Sequence, residues 1–152
     1  EDLDDITINE LINKAGVCRA SYYRNFYLLT DIVRLYVVDL FQTIIKNHPL
    51  DLNHVEYQIT GFYQELLKEK DKLATLNKRN LLYLLDDGYD LLVRTLIKNN
   101  GEYRDEYQTS FYVGASAFVI KAWIKNGFKE SPKQMATINL DNMFQLERRG
   151  RR

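Results

Sequence analysis

Arg19, Ala20, Tyr23, Arg24 and Asn25 crowd into one short stretch, and each carries a group able to grip or read a nucleic acid. A guanidinium makes paired hydrogen bonds to a guanine edge, and the Ala20 methyl can meet the methyl of thymine. A tyrosine hydroxyl or an asparagine amide can donate to a backbone phosphate. Upstream, Thr7 stands where a helix would begin, and a backbone amide at a helix N-terminus is a ready donor to phosphate. Lys14 adds a third local cation beside Arg19 and Arg24, while Glu1, Asp2, Asp4 and Asp5 place opposing charge just before the stretch.

Such groups work only if short, well-fixed elements hold them. Thr7 and Glu10 have the spacing of a capping box, and Ile6 and Leu11 sit where a hydrophobic staple would close. Ile8, Leu11, Ile12 and Ala15 make one apolar stripe at helical spacing, and Gly16 follows where a left-handed cap ends a helix, with Val17 within reach of Ile12. The chain then restarts at Arg19 as a second short helix with polar and small groups on one side and rings on the other. Two short helices joined by a tight glycine turn describe a helix-turn-helix, whose second member lies in the major groove. The plainer reading is a capped hairpin packed for stability alone.

At this point the text T-x-x-E-L-x-x-x-A-G-V-C-R-A-S-Y-Y-R-N-F, Thr7 through Phe26, resembles the DNA-binding motif of TetR-type transcriptional regulators. Spacing supplies only a generic helix-turn-helix; the resemblance supplies the family. It implies base contacts from Arg19 and Ser21 and phosphate contacts from Tyr23, Arg24 and Asn25, and it places Tyr22 in the core. It also implies a homodimer on a palindromic operator, repression of transcription, and a small-molecule effector between the longer helices. In the family the apolar side of the two helices is covered by a preceding one, so a helix ahead of Glu1 is expected. Two departures bear on mechanism. Cys18 stands where a serine normally caps the recognition helix, and a thiol is a poor acceptor, so the cap should lose about 1 kcal/mol. Tyr27, Leu28 and Leu29 replace a segment that usually ends in a phosphate-binding lysine, which removes one ionic contact per subunit.

Composition agrees with an all-α fold. The 152 residues are 45% apolar and 28% charged with only 2 prolines and 7 glycines, which excludes a disordered or collagen-like chain. No run of about 18 apolar residues and no basic-then-apolar leader occurs, so neither a membrane span nor a secretory signal is expected and the cytoplasm is the expected location. With the single Cys18 and only His48 and His54, a disulfide or structural zinc has no ligand set. Formal charge is zero, 21 basic against 21 acidic residues, which weighs against strong phosphate binding unless the local cations suffice.

Downstream, Leu28, Ile32, Leu35, Val38, Phe41 and Ile45 recur at helical steps until Pro49, predicting one long amphipathic helix over 28–48. Asp51 or Asn53 is placed to cap the next helix, which carries Val55, Ile59, Phe62, Tyr63, Leu66 and Leu67 to about Lys68, with Gly61 a weak point. A short polar helix over 71–78 and a longer one over 81–99 follow, the latter with Leu82, Leu85, Tyr89, Leu92, Val93 and Leu96 on one face and Asn99, Asn100 and Gly101 ending it. A helix from Glu106 to Asn126 mixes Gly114, Ala115 and Ala122 with Phe111, Phe118 and Trp123 on one helical face. Gly127 stops it, and Ser131-Pro132 opens the last helix, with Met135, Ile138, Asn139, Asn142, Met143 and Leu146. The text W-I-K-N-G-F-K-E-S-P-K-Q-M resembles the closing helices of the dihydroxyacetone kinase regulator subgroup, which implies a four-helix bundle between two subunits made by Glu106–Asn126 and Pro132–Leu146.

The resulting organisation is residues 1–30 as a helix-turn-helix domain lacking its first helix, residues 31–146 as a helical regulatory and dimerisation domain, and residues 147–152 as a basic tail. That tail, Glu147 to Arg152, reads equally as a disordered extension or as a DNA-binding arm. Tyr57, Phe62, Tyr63, Tyr83, Tyr89 and Tyr112 fit either the lining of an effector pocket or ordinary core. Asp86, Asp87 and Asp90 read as a solvated face, with Asp90 one turn from Arg94. No catalytic triad, phosphate-binding loop or dinucleotide glycine pattern appears, so neither enzyme activity nor a cofactor is expected. A rival reading is a regulator-like interaction protein with little DNA affinity, acting by pairing through its last two helices.

Overall fold

The computed structural model describes residues 7–48, 54–99 and 105–149, and every regular element among them is helical. The order is α1 (Ile8–Ala15), α2 (Arg19–Asn25), α3 (Leu29–Asn47), α4 (Val55–Lys68), α5 (Lys70–Lys78), a 3₁₀ turn (Leu82–Leu84), α6 (Leu85–Asn99), α7 (Glu106–Lys125) and α8 (Pro132–Arg149). The expectations placed on Ile6, Pro49, Asp51, Asn53, Asn100, Gly101 and the acids before Ile6 lie outside the described residues, as do those on the side chains of Asn99, Met143 and Leu146 and on the end of the tail. Helix α8 itself runs on through Arg149 without a break at 146.

Helix α3 packs along α6, α4 along α8, and α7 against α5 and α6. The interhelical core is aromatic at its centre. Phe41 and Tyr89 meet edge-on at 5.8 Å between ring centroids, Tyr63 meets Trp123 at 5.2 Å, and Trp123 meets Phe128 at 4.9 Å. Edge-to-face pairs set the positive rim of one ring against the negative face of the next, so each adds to the burial term. Tyr63 reaches α8 as well, its hydroxyl accepting from the buried Asn139 amide at 3.2 Å. The Trp123 indole donates to the Glu130 carbonyl at 2.9 Å, which fixes the path from α7 to α8. These contacts decide between the two readings of the rings: Tyr63 and Tyr89 are buried core and Phe62 packs beside them, whereas Tyr57 and Tyr83 lie exposed.

Several local signals work as the sequence suggests. Gly127 and Phe128 both take positive φ, 77° and 58°, and the Phe128 amide bonds the Trp123 carbonyl at 3.0 Å, ending α7. Ser131 and Gln134 exchange backbone-to-side-chain bonds of 3.3 and 2.8 Å at the start of α8, with Pro132 the first helical residue.

Other expectations need correction. The helix expected over 81–99 opens as a 3₁₀ turn and becomes α-helical only from Leu85, whereas the stop after Lys78, with Asn80 at φ 57°, falls where expected. His54, rather than an aspartate or asparagine, stands at the α4 cap position without a side-chain capping bond. Gly61, the expected weak point, leaves α4 unbroken and has a packing role besides. It is a buried close approach, where an added Cβ would stand 2.5 Å from the His48 ring. Trp123 does not share the face of Phe111 and Phe118; it is 1% exposed, whereas they are 54% and 71% exposed. The α6 acids are solvated as expected, 40–61% exposed, and Asp90 meets Arg94, but they also reach partners on other helices. Asp86 holds Lys121 of α7 at 2.7 Å, Asp87 pairs with Arg34 of α3, and Asp90 shares Arg94 with Glu106 of α7. Arg94 holds the Glu106 carboxyl below the usual carboxylate range.

Candidate nucleic-acid interface

The interface is built from α1, α2 and the start of α3. The Thr7 hydroxyl accepts from the Glu10 amide at 3.2 Å, and the Glu10 carboxylate takes the Thr7 amide at 2.8 Å and the Thr7 hydroxyl at 2.8 Å. The backbone bond from Thr7, followed by its hydroxyl, pulls the Glu10 carboxyl below its ordinary value. Helix α1 ends at Gly16, φ 66° and ψ 27°, with the Val17 amide reaching the Ile12 carbonyl at 3.0 Å. Positive φ costs a side-chain-bearing residue about 1 kcal/mol or more, so glycine sets the sharp stop.

Helix α2 then starts with Cys18 in the cap position. Its backbone has the extended geometry of a cap, but its exposed thiol makes no capping bond, so the first amides of α2 are left to solvent or to a ligand. One turn on, Tyr22 faces inward, 3% exposed, and meets Tyr23 edge-on at 5.2 Å and Phe26 at 5.7 Å. Ile12 is the other buried apolar residue of this pair of helices. Burial pushes the Tyr22 phenol up from its ordinary value, and its hydroxyl has no hydrogen-bond partner among the described residues. An unpaired buried hydroxyl costs roughly 1–3 kcal/mol, so α2 is held by ring packing at some polar expense.

With Tyr22 inward, the other side of α2 faces out. Arg19, Ala20, Tyr23, Arg24 and Asn25 are exposed and Ser21 is half-buried. Neither arginine forms an ion pair with any described residue, so both keep their full hydrogen-bonding capacity. Asn25 is partly committed, one side-chain N–H donating to the Ser21 carbonyl at 2.8 Å, which also secures the end of α2. Thr7 is exposed, but its amide is already spent on Glu10, and the open amides at this end are those of Ile8 and Asn9, which no helix satisfies internally.

Sequence reasoning missed Asp31. Its carboxylate takes the Tyr27 and Leu28 amides at 2.9 and 2.8 Å, and those two bonds, Leu28 first, hold the carboxyl below the usual range, aided by Arg34. The readable signal was an acid at the third helical position of α3, where a carboxylate reaches back to orphan amides. Its effect is electrostatic. The N-terminus of α3 attracts anions through its open amides and dipole, and here a fixed carboxylate already fills it. Tyr27 and Leu28 project beside it, 87% and 63% exposed.

A second surface lies on α7. Tyr107, Phe111, Ala115, Phe118 and Ala122 recur at three and four residue steps on its exposed side, and Ile138 of α8 is 40% exposed. Among the described residues no group of three metal-ligating side chains converges, and no helix is long and apolar enough to cross a membrane. Residues 33–145 match the family described as the C-terminal region of transcriptional regulators, a TetR-type grouping. No curated protein matches the chain.

Proposed function

Since this chain belongs to the TetR family of transcriptional regulators, we propose that it binds a palindromic DNA operator as a homodimer and represses transcription from it. Each protomer places α2 in one major groove, and the two-fold axis sets the half-sites one or more helical turns apart, about 34 Å each. Arg19 and Ser21 contact base edges and Ala20 a thymine methyl. Tyr23, Arg24 and Asn25 grip phosphates, and Thr7 stands at the α1 terminus where a further phosphate approaches. The observation that carries this reading is the outward face of α2, two unpaired arginines and a tyrosine held out by the inward packing of Tyr22. Residues 1–30 form the DNA-binding part, residues 31–146 the regulatory and pairing part, and the basic end of α8 follows. The exposed apolar stripe of α7, with α8 beside it, supports pairing of two copies as a four-helix bundle, in the manner of the dihydroxyacetone kinase regulator subgroup. A small molecule that changes the angle between α3 and α6 changes the half-site spacing.

The test separates reading from gripping. With an operator selected from a random duplex library, Arg19→Gln relaxes the base preference at one position of each half-site and costs about 1–3 kcal/mol there. Arg24→Gln weakens all duplexes alike and flattens the salt dependence. Equal behaviour of the two variants, or an unchanged affinity in both, overturns the assignment of α2 to the groove.

Asp31 favours a second reading, a regulator-like protein of low DNA affinity that acts by pairing through α7 and α8. A carboxylate filling the α3 terminus and a formal charge of zero both reduce phosphate attraction. Stable mixed dimers with another regulator, and no duplex binding by the intact homodimer, distinguish it.

A further inference from the structure

Outside the interface and the core, the described residues enclose one cleft whose chemistry no role above uses. It lies between the end of α5, the 3₁₀ turn and the second half of α7, with a volume of about 340 Å³, and is lined by Asn77, Asn80, Leu82, Tyr83, Phe118 and Lys125 among others. That volume lies at the lower end of small-molecule sites, about 300–1,000 Å³. Its wall has two kinds of surface. Leu82 is buried and supplies apolar surface, and the rings of Tyr83 and Phe118 stand at the rim, 52% and 71% exposed. Against these stand polar groups with capacity to spare: the side-chain amides of Asn77 and Asn80, the Tyr83 hydroxyl and the Lys125 ammonium make no hydrogen bond or ion pair with any described residue.

The second cation of the cleft is fixed rather than free. Lys121 donates to both Asp86 oxygens, at 2.7 and 3.0 Å, and its ammonium lies 4.2 Å from the Phe118 ring centroid. Asp86 neutralises Lys121 and leaves Lys125 as the uncompensated charge, so the cleft favours an anion. The left-handed turn at Asn80 holds the loop in place: its own amide bonds the Asn77 carbonyl at 3.1 Å and the Leu81 amide bonds the Leu76 carbonyl at 2.8 Å. The backbone is therefore satisfied without either asparagine side chain.

We propose that this cleft binds a small aromatic carboxylate, the ring lying against Leu82 and between Tyr83 and Phe118, and the carboxylate meeting the Lys125 ammonium and the Asn77 and Asn80 amides. The site is separate from the aromatic core that fills the bundle interior. Phe118 and Ala122 belong both to the cleft and to the α7 stripe, so an occupant alters the surface on which a second copy packs; this consequence, unlike the binding itself, rests on the pairing proposed above.

Benzoate is the probe, with benzamide as its uncharged counterpart and acetate as the carboxylate without a ring. In amide-resolved NMR of the full chain, benzoate gives saturable shifts at the Asn77 and Asn80 side-chain amides and at residues 82, 83, 121, 122 and 125. Benzamide and acetate each bind about tenfold more weakly, as expected for losing a charge-assisted bond or the ring contact. Lys125→Gln, at an exposed position, and Asn77→Ala, at a half-buried one, weaken benzoate by a similar factor, whereas Lys133→Gln on α8 does not. Absence of saturable shifts at the cleft, equal binding of benzamide, or indifference to Lys125→Gln overturns the site. Sedimentation of the same samples separates the two proposals. A monomer that binds benzoate at the cleft keeps the site and removes the pairing, and a dimer that shows no cleft shifts does the reverse.

Discussion

Gly88 on α6 faces α3, and replacing it with alanine tests how tightly those two helices are set. An added Cβ would lie 2.6 Å from Cδ2 of Phe41 and 2.7 Å from Cγ1 of Val37. Both neighbours are core side chains, 1% and 0% exposed, so neither can turn into solvent to make room. Alanine in a helix interior gains about 1 kcal/mol over glycine, whereas forcing a methyl into a packed core costs about 1–3 kcal/mol. The net expectation is a loss of about 1 kcal/mol, near 3 °C in melting temperature for a chain of this size. Gly61→Ala is the internal control. It too meets a close neighbour, at 2.5 Å, but that neighbour is the ring of His48 at the end of α3, whose side chain is 21% exposed and can swing outward at the cost of its 3.2 Å contact with Glu65. Propensity then wins, and Gly61→Ala is expected to be neutral or up to about 1 kcal/mol more stable. Urea unfolding followed by circular dichroism, at one fixed protein concentration because pairing would add concentration dependence, gives both values. If Gly88→Ala is as stable as the parent, or the two variants rank the other way, then α3 and α6 are not in the close contact that transmission through α3 requires.

Cys18→Ser supplies the missing cap acceptor and should raise protection of the first α2 amides against hydrogen exchange, with about 1 kcal/mol gained locally; unchanged exchange would mean that Cys18 is not the cap. Asp31→Asn tests the carboxylate at α3. Because the folded-state pKa of Asp31 is depressed, its contribution is present above the ordinary aspartate value near 3.9 and disappears as pH falls through the lower folded value. Protection of the Tyr27 and Leu28 amides should therefore collapse in acid in the parent and be weak but flat with pH in the variant, while duplex affinity rises. A parent that keeps its Tyr27 and Leu28 protection unchanged as pH falls well below the ordinary aspartate value would contradict the bond assignment. Phe111→Glu, at a 54% exposed position on α7, should leave the fold intact and weaken pairing about a hundredfold or more in sedimentation, the scale of an interface anchor; an unaltered dimer would place the pairing face elsewhere.

What the sequence made legible is what local chemistry decides. The Thr7 and Glu10 exchange, the stop at Gly16, the empty cap at Cys18 and the serine-proline start of α8 each depend on residues within a turn of one another. The inward turn of Tyr22 was legible from the family resemblance rather than from local chemistry. What stayed hidden depends on partners far along the chain. The α6 acids are a solvated face, but their pairing with Arg34 of α3 and Lys121 of α7 could not be read from α6 alone, and the aromatic residues fit pocket or core equally until their mutual packing is seen. Trp123 was assigned to the wrong face because small residues and rings are spread around α7, giving no single apolar stripe to read. The 3₁₀ turn ahead of α6 was obscured by Leu81, Leu82, Leu84 and Leu85, a run of leucines that gives no local signal for where the α-helix begins. Asp31 was legible and overlooked, since an acid at the third helical position says as much about α3 as Glu10 does about α1.

The decisive measurement is equilibrium binding of the intact protein to its best selected duplex and to a scrambled duplex, each titrated from low to high salt. Exposed, unpaired Arg19 and Arg24 on two copies of α2 require clear preference for the selected duplex and a log affinity that falls linearly with log salt, at about 0.9 per phosphate neutralised. Equal affinity for both duplexes at every salt concentration would contradict the assignment of α2 to a DNA groove.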